Sequence, residues 1–412
     1  MSRVIHKTQF IIKPDSVLIQ TYPDLQQQSN AISRKYAAGQ QVTEEELKDI
    51  GSYLWSVLNL QESFDLAYKN TGREILSIII ESDVPEIQVL PWETLYHPVH
   101  AFLGKNQAFT LSRCVRQIKK NSDTVCEGPL RVLLFTSLPD DVNPEKSRLN
   151  VEEEQVQVQE ALVPWIAKGL VQLEIPDDGR FSTFQELVKS FQPHILYLSG
   201  HGKFNHQSHL DEPAYGEFFF ESETGKSDGV GEDTIAKALI GSGVQVVVIS
   251  TCESGKVASD ELSNGLTRKI SAQGIPHVIG MRESISDKAG IQFARTLCDE
   301  IAKQERIDVA LQYARIAIQK PIDDNNVEKN ELLGQWCLPM LISSNVETPI
   351  INWNFTPQPV DATIIYRKHI GNVSVPKRFI GRRSELRKYK SRLLKGELQK
   401  LLLIAPGGQG KS

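Results

Sequence analysis

A histidine and a cysteine stand in matching surroundings in this 412-residue sequence. His201 closes the run I-L-Y-L-S-G-H, which starts at Ile195, and Gly202 follows it; Cys252 lies in V-V-V-I-S-T-C-E-S-G at Val246–Gly255. Each run is short and apolar enough for a buried strand, and each ends in small polar residues carrying one reactive side chain. Brought together, the pair is a nucleophilic dyad. A thiol attacks only as thiolate, and His201 would lower its pKa or take its proton as acyl transfer begins. The N–H of Gly202 and that of Cys252 itself are candidates for an oxyanion hole, because glycine leaves its amide unobstructed. A small buried cysteine and a turn histidine would read the same way in isolation; the matched strand-end settings favour the dyad.

Other chemistry-bearing residues are less constrained. His206 and His209 have a spacing that a metal pair uses, yet no cysteine or carboxylate sits at clear ligand spacing, so a polar loop and no metal site are expected. His194 and His277 fall at strand edges, where packing or surface roles suffice. Asp211, Glu212, Glu253, Asp260 and Glu261 lie in loops near the expected cleft; a buried carboxylate there would favour a basic residue at the cleavage position, and solvated loop charges fit the same residues. At the end of the chain, the apolar run Lys400–Ile404 leads into A-P-G-G-Q-G-K-S. That octet matches a Walker A loop with Ala405 in place of the usual first glycine. Its Gly407, Gly408 and Gly410 would cradle phosphates with backbone N–H groups, Lys411 would meet the β- and γ-phosphates, and Ser412 a magnesium ion. The sequence stops before the helix that completes such a site, so the chain is expected to be the front part of a longer protein and not to bind nucleotide as it stands. Nucleotide hydrolysis by this chain alone is disfavoured on the same ground.

The elements that must position the dyad follow from periodicity. Gln9–Lys13 and Ser16–Tyr22 alternate as two strands would, and a Thr43-x-x-Glu46 capping box opens a helix to Asn59. Glu74–Glu81 and Phe109–Val115 are expected strands, and Pro91 turns the chain into a short helix with Trp92 facing a core. After Gly128-Pro129, strands at Leu130–Ser137, Val171–Ile175, Ile195–Ser199, Gly216–Glu221, Val246–Thr251 and Val278–Gly280 alternate with helices at Val151–Leu162, Thr183–Ser190, Asp233–Ile240 and Asn264–Ala272. Helices at Asp287–Lys303 and Arg306–Lys320 close the series. Such alternation implies an α/β fold with a mostly parallel sheet covered on both faces, with chemistry at the carboxyl ends of the strands. Both His201 and Cys252 fall at such ends. The expected division is an N-terminal α/β part at 1–127, a main domain at 128–347, a polar, Pro- and Thr-rich linker at 348–378, and a basic segment leading to the Walker loop at 379–412.

Composition narrows the function classes. Forty-six Lys and Arg against 51 Asp and Glu, net −5, leave no general electrostatic footprint for nucleic acid or anionic lipid. Five cysteines without CxxC pairing argue against a disulfide framework or structural zinc and fit a reducing cytoplasm. No stretch has the ~20 apolar residues of a membrane span, and the N-terminus lacks a signal-peptide core.

Several motifs, taken as an ordered set over roughly residues 70–345, resemble the CHAT family of caspase-like cysteine peptidases, of the same clan as separase. They are L-P-W-E at Leu90–Glu93, L-R-V-L-L-F at Leu130–Phe135, the acidic helix start from Asn150 to Glu154, L-Y-L-S-G-H-G at Leu196–Gly202, the Cys252 run, Gly265–Arg282 and A-L-Q-Y-A-R at Ala310–Arg315. Thr251 before the cysteine agrees with the family's habit of a small residue there. The resemblance implies a caspase–haemoglobinase-like three-layer αβα fold preceded by an N-terminal α/β subdomain. It also implies a His201/Cys252 dyad in the family's order and peptide-bond cleavage through a thioester; no motif transfers a third, dyad-orienting residue. Joined to the start of a signal-transduction P-loop NTPase, the chain resembles an effector of prokaryotic defence or cell-death systems. A protein substrate, an NTPase and sensor region, and oligomerisation on activation are then the expected partners. The peptidase needs no cofactor, and ATP with magnesium is expected only for the longer protein. The alternative is a non-catalytic caspase-like scaffold that binds a partner or oligomerises under NTPase control.

Overall fold

The computed structural model describes residues 9–72, 74–116, 125–142, 145–205, 215–251, 259–319 and 334–360, the strand pair at 367–370 and 373–376, and Arg387, Tyr389, Arg392 and Gly396. Side chains at 145–150, 152, 203–205, 215, 251, 259–264 and in the strand pair are outside that description.

The N-terminal part begins with β1 (Gln9–Ile12) and four helices, α1 (Ser16–Thr21), α2 (Pro23–Ala37), α3 (Glu44–Leu58) and α4 (Gln61–Thr71). Ser16–Tyr22, expected as a strand from its alternation, is a helix. The Asp15 side chain accepts the Val17 N–H and caps it, a local bond that outweighs a weak period-2 pattern. The capping box does form: Thr43 Oγ1 accepts the Glu46 N–H, and the Glu46 carboxylate accepts the Thr43 N–H. Next come β2 (Leu76–Glu81), α5 (Pro85–Gln88), a 3-10 turn at Trp92–Thr94, the small pair β3 (Tyr96–His97) and β4 (Ala101–Phe102), and β5 (Phe109–Cys114). Trp92 is fully buried and donates its indole N–H to the Ile87 carbonyl, which is the packing role expected of it.

The second part runs β6 (Leu130–Thr136), α6 (Glu145–Ala167), β7 (Val171–Glu174), α7 (Phe181–Ser190), β8 (Ile195–Asn205), β9 (Tyr215–Glu221), β10 (Ser227–Gly231), α8 (Glu232–Ala238), β11 (Val246–Thr251), α9 (Ser259–Ala272), β12 (His277–Met281), α10 (Asp287–Ala302), α11 (Ile307–Ile318) and β13 (Pro339–Ser343). The two parts are not separate sheets. Strands line up as β1-β2-β5-β13-β12-β11-β8-β6-β7, and every neighbour pair is parallel except β12 with β13. β13, the last strand of this sheet in sequence, fills the gap between the halves: parallel to β5 on one side, antiparallel to β12 on the other. The fold is therefore mixed α/β with a mostly parallel sheet, as expected.

Alternation along the strands feeds two cores. Val132, Leu134, Ile195, Tyr197, Val246 and Val248 face the larger core, which includes residues of α6, α10 and α11. Leu133, Phe135, Leu196, Leu198, Val247 and Ile249 face the smaller one, shared with α7, α8 and α9. One charged group sealed beside the larger core is closely paired. Arg113 of β5 forks onto Glu93, with Nη2 donating to Oε2 at 2.8 Å, and Arg315 of α11 reaches the same carboxylate at 3.4 Å; all three side chains are 0% exposed. Their remaining donors meet the carbonyls of Gln88, Leu90, Leu111 and Pro339. The L-P-W-E and A-L-Q-Y-A-R motifs thus tie the 3-10 turn, β5, α11 and β13 together.

Residues 350–360, on the linker side of the expected boundary, lie against the main body. Ile350 and Ile351 are buried, the Asn352 N–H donates to Cys126 O at 2.7 Å, and the Val360 N–H donates to Ala167 O at 3.0 Å.

Candidate active site

β8 is longer than its parallel partners, and this sets the site. It pairs with β6 as far as Thr136 against Ser199, and with β11 as far as Thr251 against Gly200. Past that level β9 takes the place β6 has left, antiparallel, with His201 opposite Phe219 and Gly202 opposite Phe218. His201 is therefore the first residue of β8 beyond its parallel neighbours. Only a residue without Cβ fits just before it: a Cβ on Gly200 would stand 2.6 Å from the Phe218 ring and 3.1 Å from Ser137 O.

His201 is 3% exposed, and burial pushes its pKa down to about 4, so the imidazole is neutral at neutral pH and able to accept a proton. Gly202 is half-buried within the β8–β9 ladder. Cys252 directly follows Thr251 in the chain, and it lies outside the described residues, with the rest of 252–258. His206, His209, Asp211, Glu212 and Glu253, and the octet with Gly407, Gly408, Gly410, Lys411 and Ser412, also fall outside them, as do the side chains of Asp260 and Glu261. Three described cysteines are poor nucleophiles by environment. Burial raises the pKa of Cys114 and Cys337, and pushes Cys298 up to about 12.

A small cavity lies beside the end of β11. Tyr197, Ser199 and His201 alternate onto the face toward α6, and Ser250 sits level with Ser199 on β11. Facing them is Glu154 of α6, 4% exposed, beside this cavity of about 10 Å³, also lined by Val151, Ser250, Ile285, Ser286 and Asp287. Burial raises the Glu154 carboxyl to about 7, with the Asp287 charge adding to the rise and the Ser199 and Tyr197 hydroxyls opposing it. The neighbouring Gln155 donates to Thr136 Oγ1 at 2.8 Å. Glu154 was not among the residues singled out for chemistry from the sequence. Its signal was there: Val151, Glu154, Val158 and Leu162 form one helical stripe, so this acid occupies the buried face.

The other described histidines pack. His194 Nδ1 accepts the Arg131 N–H at 3.2 Å, and burial pushes its pKa down to about 3. His277 is bonded to Ser343 Oγ and Thr348 O, each at 2.9 Å, and is pushed down to about 4. Among the described residues no group of three His, Cys, Asp or Glu side chains is arranged to hold a metal ion. No described helix is long and apolar enough to cross a membrane.

No curated protein sequence matches the chain. Among solved structures, separase from Saccharomyces cerevisiae in its complex with securin overlaps 65% of this chain at 13% identity and a TM-score of 0.38, and the chain spans only 15% of that separase. The Arg-specific cysteine proteinase gingipain R overlaps 85% of this chain and 80% of its own length at 9% identity and a TM-score of 0.41. The complex of the pro- and mature domains of RgpB from Porphyromonas gingivalis overlaps 84% and 81% at 8% identity, with the same TM-score of 0.41. The model of the CHAT domain family matches residues 38–359, which takes in both halves of the sheet and the tips of β8 and β11. The chain belongs to the CHAT domain family.

Proposed function

We propose that the chain is a cysteine endopeptidase in which Cys252 and His201 form the dyad. His201 takes the thiol proton as the sulfur attacks a peptide carbonyl; the N–H groups of Cys252 and Gly202 receive the negative charge that develops on oxygen. The proton passes to the leaving amine as the C–N bond breaks, and water then hydrolyses the thioester. The observation that carries this reading is the pairing of Thr251 with Gly200. Neighbouring strands stand about 4.8 Å apart and successive Cα atoms about 3.8 Å apart, so the residue after Thr251 starts within reach of the residue after Gly200. The position of His201 as the first residue of β8 beyond its parallel neighbours supports its role as base.

We further propose that residues 128–347 with the N-terminal part act as the effector module of a P-loop NTPase to which the segment from 379 belongs. Gly407, Gly408, Gly410, Lys411 and Ser412 would hold ATP and magnesium there. Nucleotide-driven assembly releases the peptidase onto a partner protein in a prokaryotic defence or programmed cell-death pathway.

The test mixes the full-length protein, or its Cys252→Ala form, with proteins encoded beside it and looks for cleavage products by mass spectrometry. Cleavage by the parent and none by the variant is expected. Identical results for the two forms would overturn the peptidase reading and leave the scaffold role.

A further inference from the structure

The flank of the β9–β10 hairpin carries a charged site that the peptidase chemistry does not use. Glu221, the last residue of β9, has a side chain only 1% exposed. Its Oε1 accepts the Leu138 N–H at 2.9 Å and its Oε2 accepts the Gly179 N–H at 3.0 Å, so two backbone donors from separate loops orient the carboxylate. Arg387 then donates from Nη2 to Oε2 at 2.6 Å. Its Nη1 donates to Asp140 Oδ2 at 2.9 Å and to Gly225 O at 3.2 Å. Arg387 belongs to the basic stretch that follows the matched family region.

The surroundings are shaped for a guanidinium. Gly225 has φ +82°, and a Cβ placed there would fall 2.1 Å from Nη1 and 2.6 Å from Cδ of Arg387, so any side chain at this turn would displace the arginine. Loop and turn are also joined without Arg387. The Asp140 N–H donates to Gly225 O at 2.8 Å, and Asp141 accepts the Ser227 N–H at 2.7 Å and its hydroxyl at 3.0 Å. Two nitrogens of one planar group serve two carboxylates and a carbonyl, a pattern a lysine ammonium does not reproduce.

We infer that Glu221, Asp140 and Gly225 form a guanidinium seat that clasps the basic segment after the CHAT domain, through Arg387, to the hairpin bordering His201. The occupant is the chain's own arginine. The seat couples Arg387 to the strand pair in which His201 lies opposite Phe219, and it stands whether or not the dyad cleaves peptides.

The experiment uses the full chain and a fluorescein-labelled peptide of residues 379–394, followed by anisotropy. In the parent the seat is filled; in Arg387→Ala it is vacated, and the peptide is expected to bind at least ~10-fold more tightly to the variant than to the parent. Adding Glu221→Gln or Asp140→Asn to Arg387→Ala, or replacing the peptide's arginine at 387 by lysine, is expected to remove that gain. Equal binding to parent and variant, or equal binding of the lysine peptide, would overturn the proposal. Should Arg387→Ala fail to fold, Arg387→Lys keeps the charge and serves instead. Trypsin is then expected to cut within 361–386 at least ~5-fold faster than in the parent, since the fork is lost, and an unchanged rate would overturn the seat. None of these readouts depends on peptidase activity.

Discussion

Thr251, the last residue of β11, is paired in parallel register with Gly200, the residue before His201 on β8. β11 ends at the level where β8 leaves its parallel neighbours, and His201 therefore stands at the carboxyl edge of the parallel sheet. This is the general site of chemistry in such sheets, and it has a local cause here. β6 stops at Thr136, so β9 pairs with β8 beyond that point and buries His201 from the side.

A reactive thiolate at 252 is expected to depend on that histidine. Labelling of the full chain with iodoacetamide at pH 7, mapped by mass spectrometry, should favour Cys252 over Cys298 and Cys337, which are buried and held as thiols. His201→Ala should slow Cys252 labelling about 10-fold or more by removing the base. An unchanged rate in His201→Ala would separate the two residues chemically.

The sealed Glu93, Arg113 and Arg315 group should be costly to break. Glu93→Ala leaves two guanidinium groups at 0% exposure facing each other without their carboxylate, and a loss of about 3–5 kcal/mol is expected in urea unfolding. A loss below ~1 kcal/mol would mean that water reaches the group.

Stability should depend on pH through two opposed sets of groups. His194, His201 and His277 have folded pKa values of about 3, 4 and 4, below the ordinary 6.5. Between those values the unfolded chain binds more protons, so their contribution is present above 6.5 and lost as pH falls toward 4. Glu154 runs the other way: its folded value of about 7 exceeds the ordinary 4.5, so the folded chain holds its proton longer and stability falls as pH rises from 4.5 to 7. Glu154→Gln removes that loss. Relative to the parent, the variant should gain on the order of 3 kcal/mol between pH 4.5 and pH 8, checked by urea melts at both ends; a pH-independent difference would show that Glu154 is ionised throughout.

At Gly51, contact outweighs propensity. Alanine in mid-helix is worth about 1 kcal/mol over glycine. Yet a Cβ at this point of α3 would lie 1.9 Å from Thr94 O, in backbone that cannot swing aside, and overpacking of that kind costs about 1–3 kcal/mol. Gly51→Ala is expected to lower the melting temperature despite its helix preference.

Local patterns carried much of the scaffold. The runs at Leu130–Thr136, Ile195–Ser199 and Val246–Thr251 are strands because their β-branched and apolar residues can only be satisfied by burial on both faces, which the two cores provide. The Thr43 box opens α3 because both of its bonds close within four residues. Ser16–Tyr22 misled because its alternation is weak and a single cap bond at Asp15 decides the matter. α2, rich in glutamine and serine, has an apolar stripe of Leu25, Ile32 and Tyr36 too sparse to stand out from its polar face.

Sequence by itself determined the apolar strand runs that precede His201 and Cys252, because a short apolar run bounded by small polar residues is a local property of the chain. Tertiary structure alone decided which strands are neighbours. β13 slots between β5 and β12 and joins two halves that read as separate, and Glu154 and Arg387 reach their partners across 45 and 166 residues respectively. The reason is physical: the energy of pairing a buried carboxylate or a strand edge lies in contacts between distant segments, and nothing in either segment taken alone records its partner.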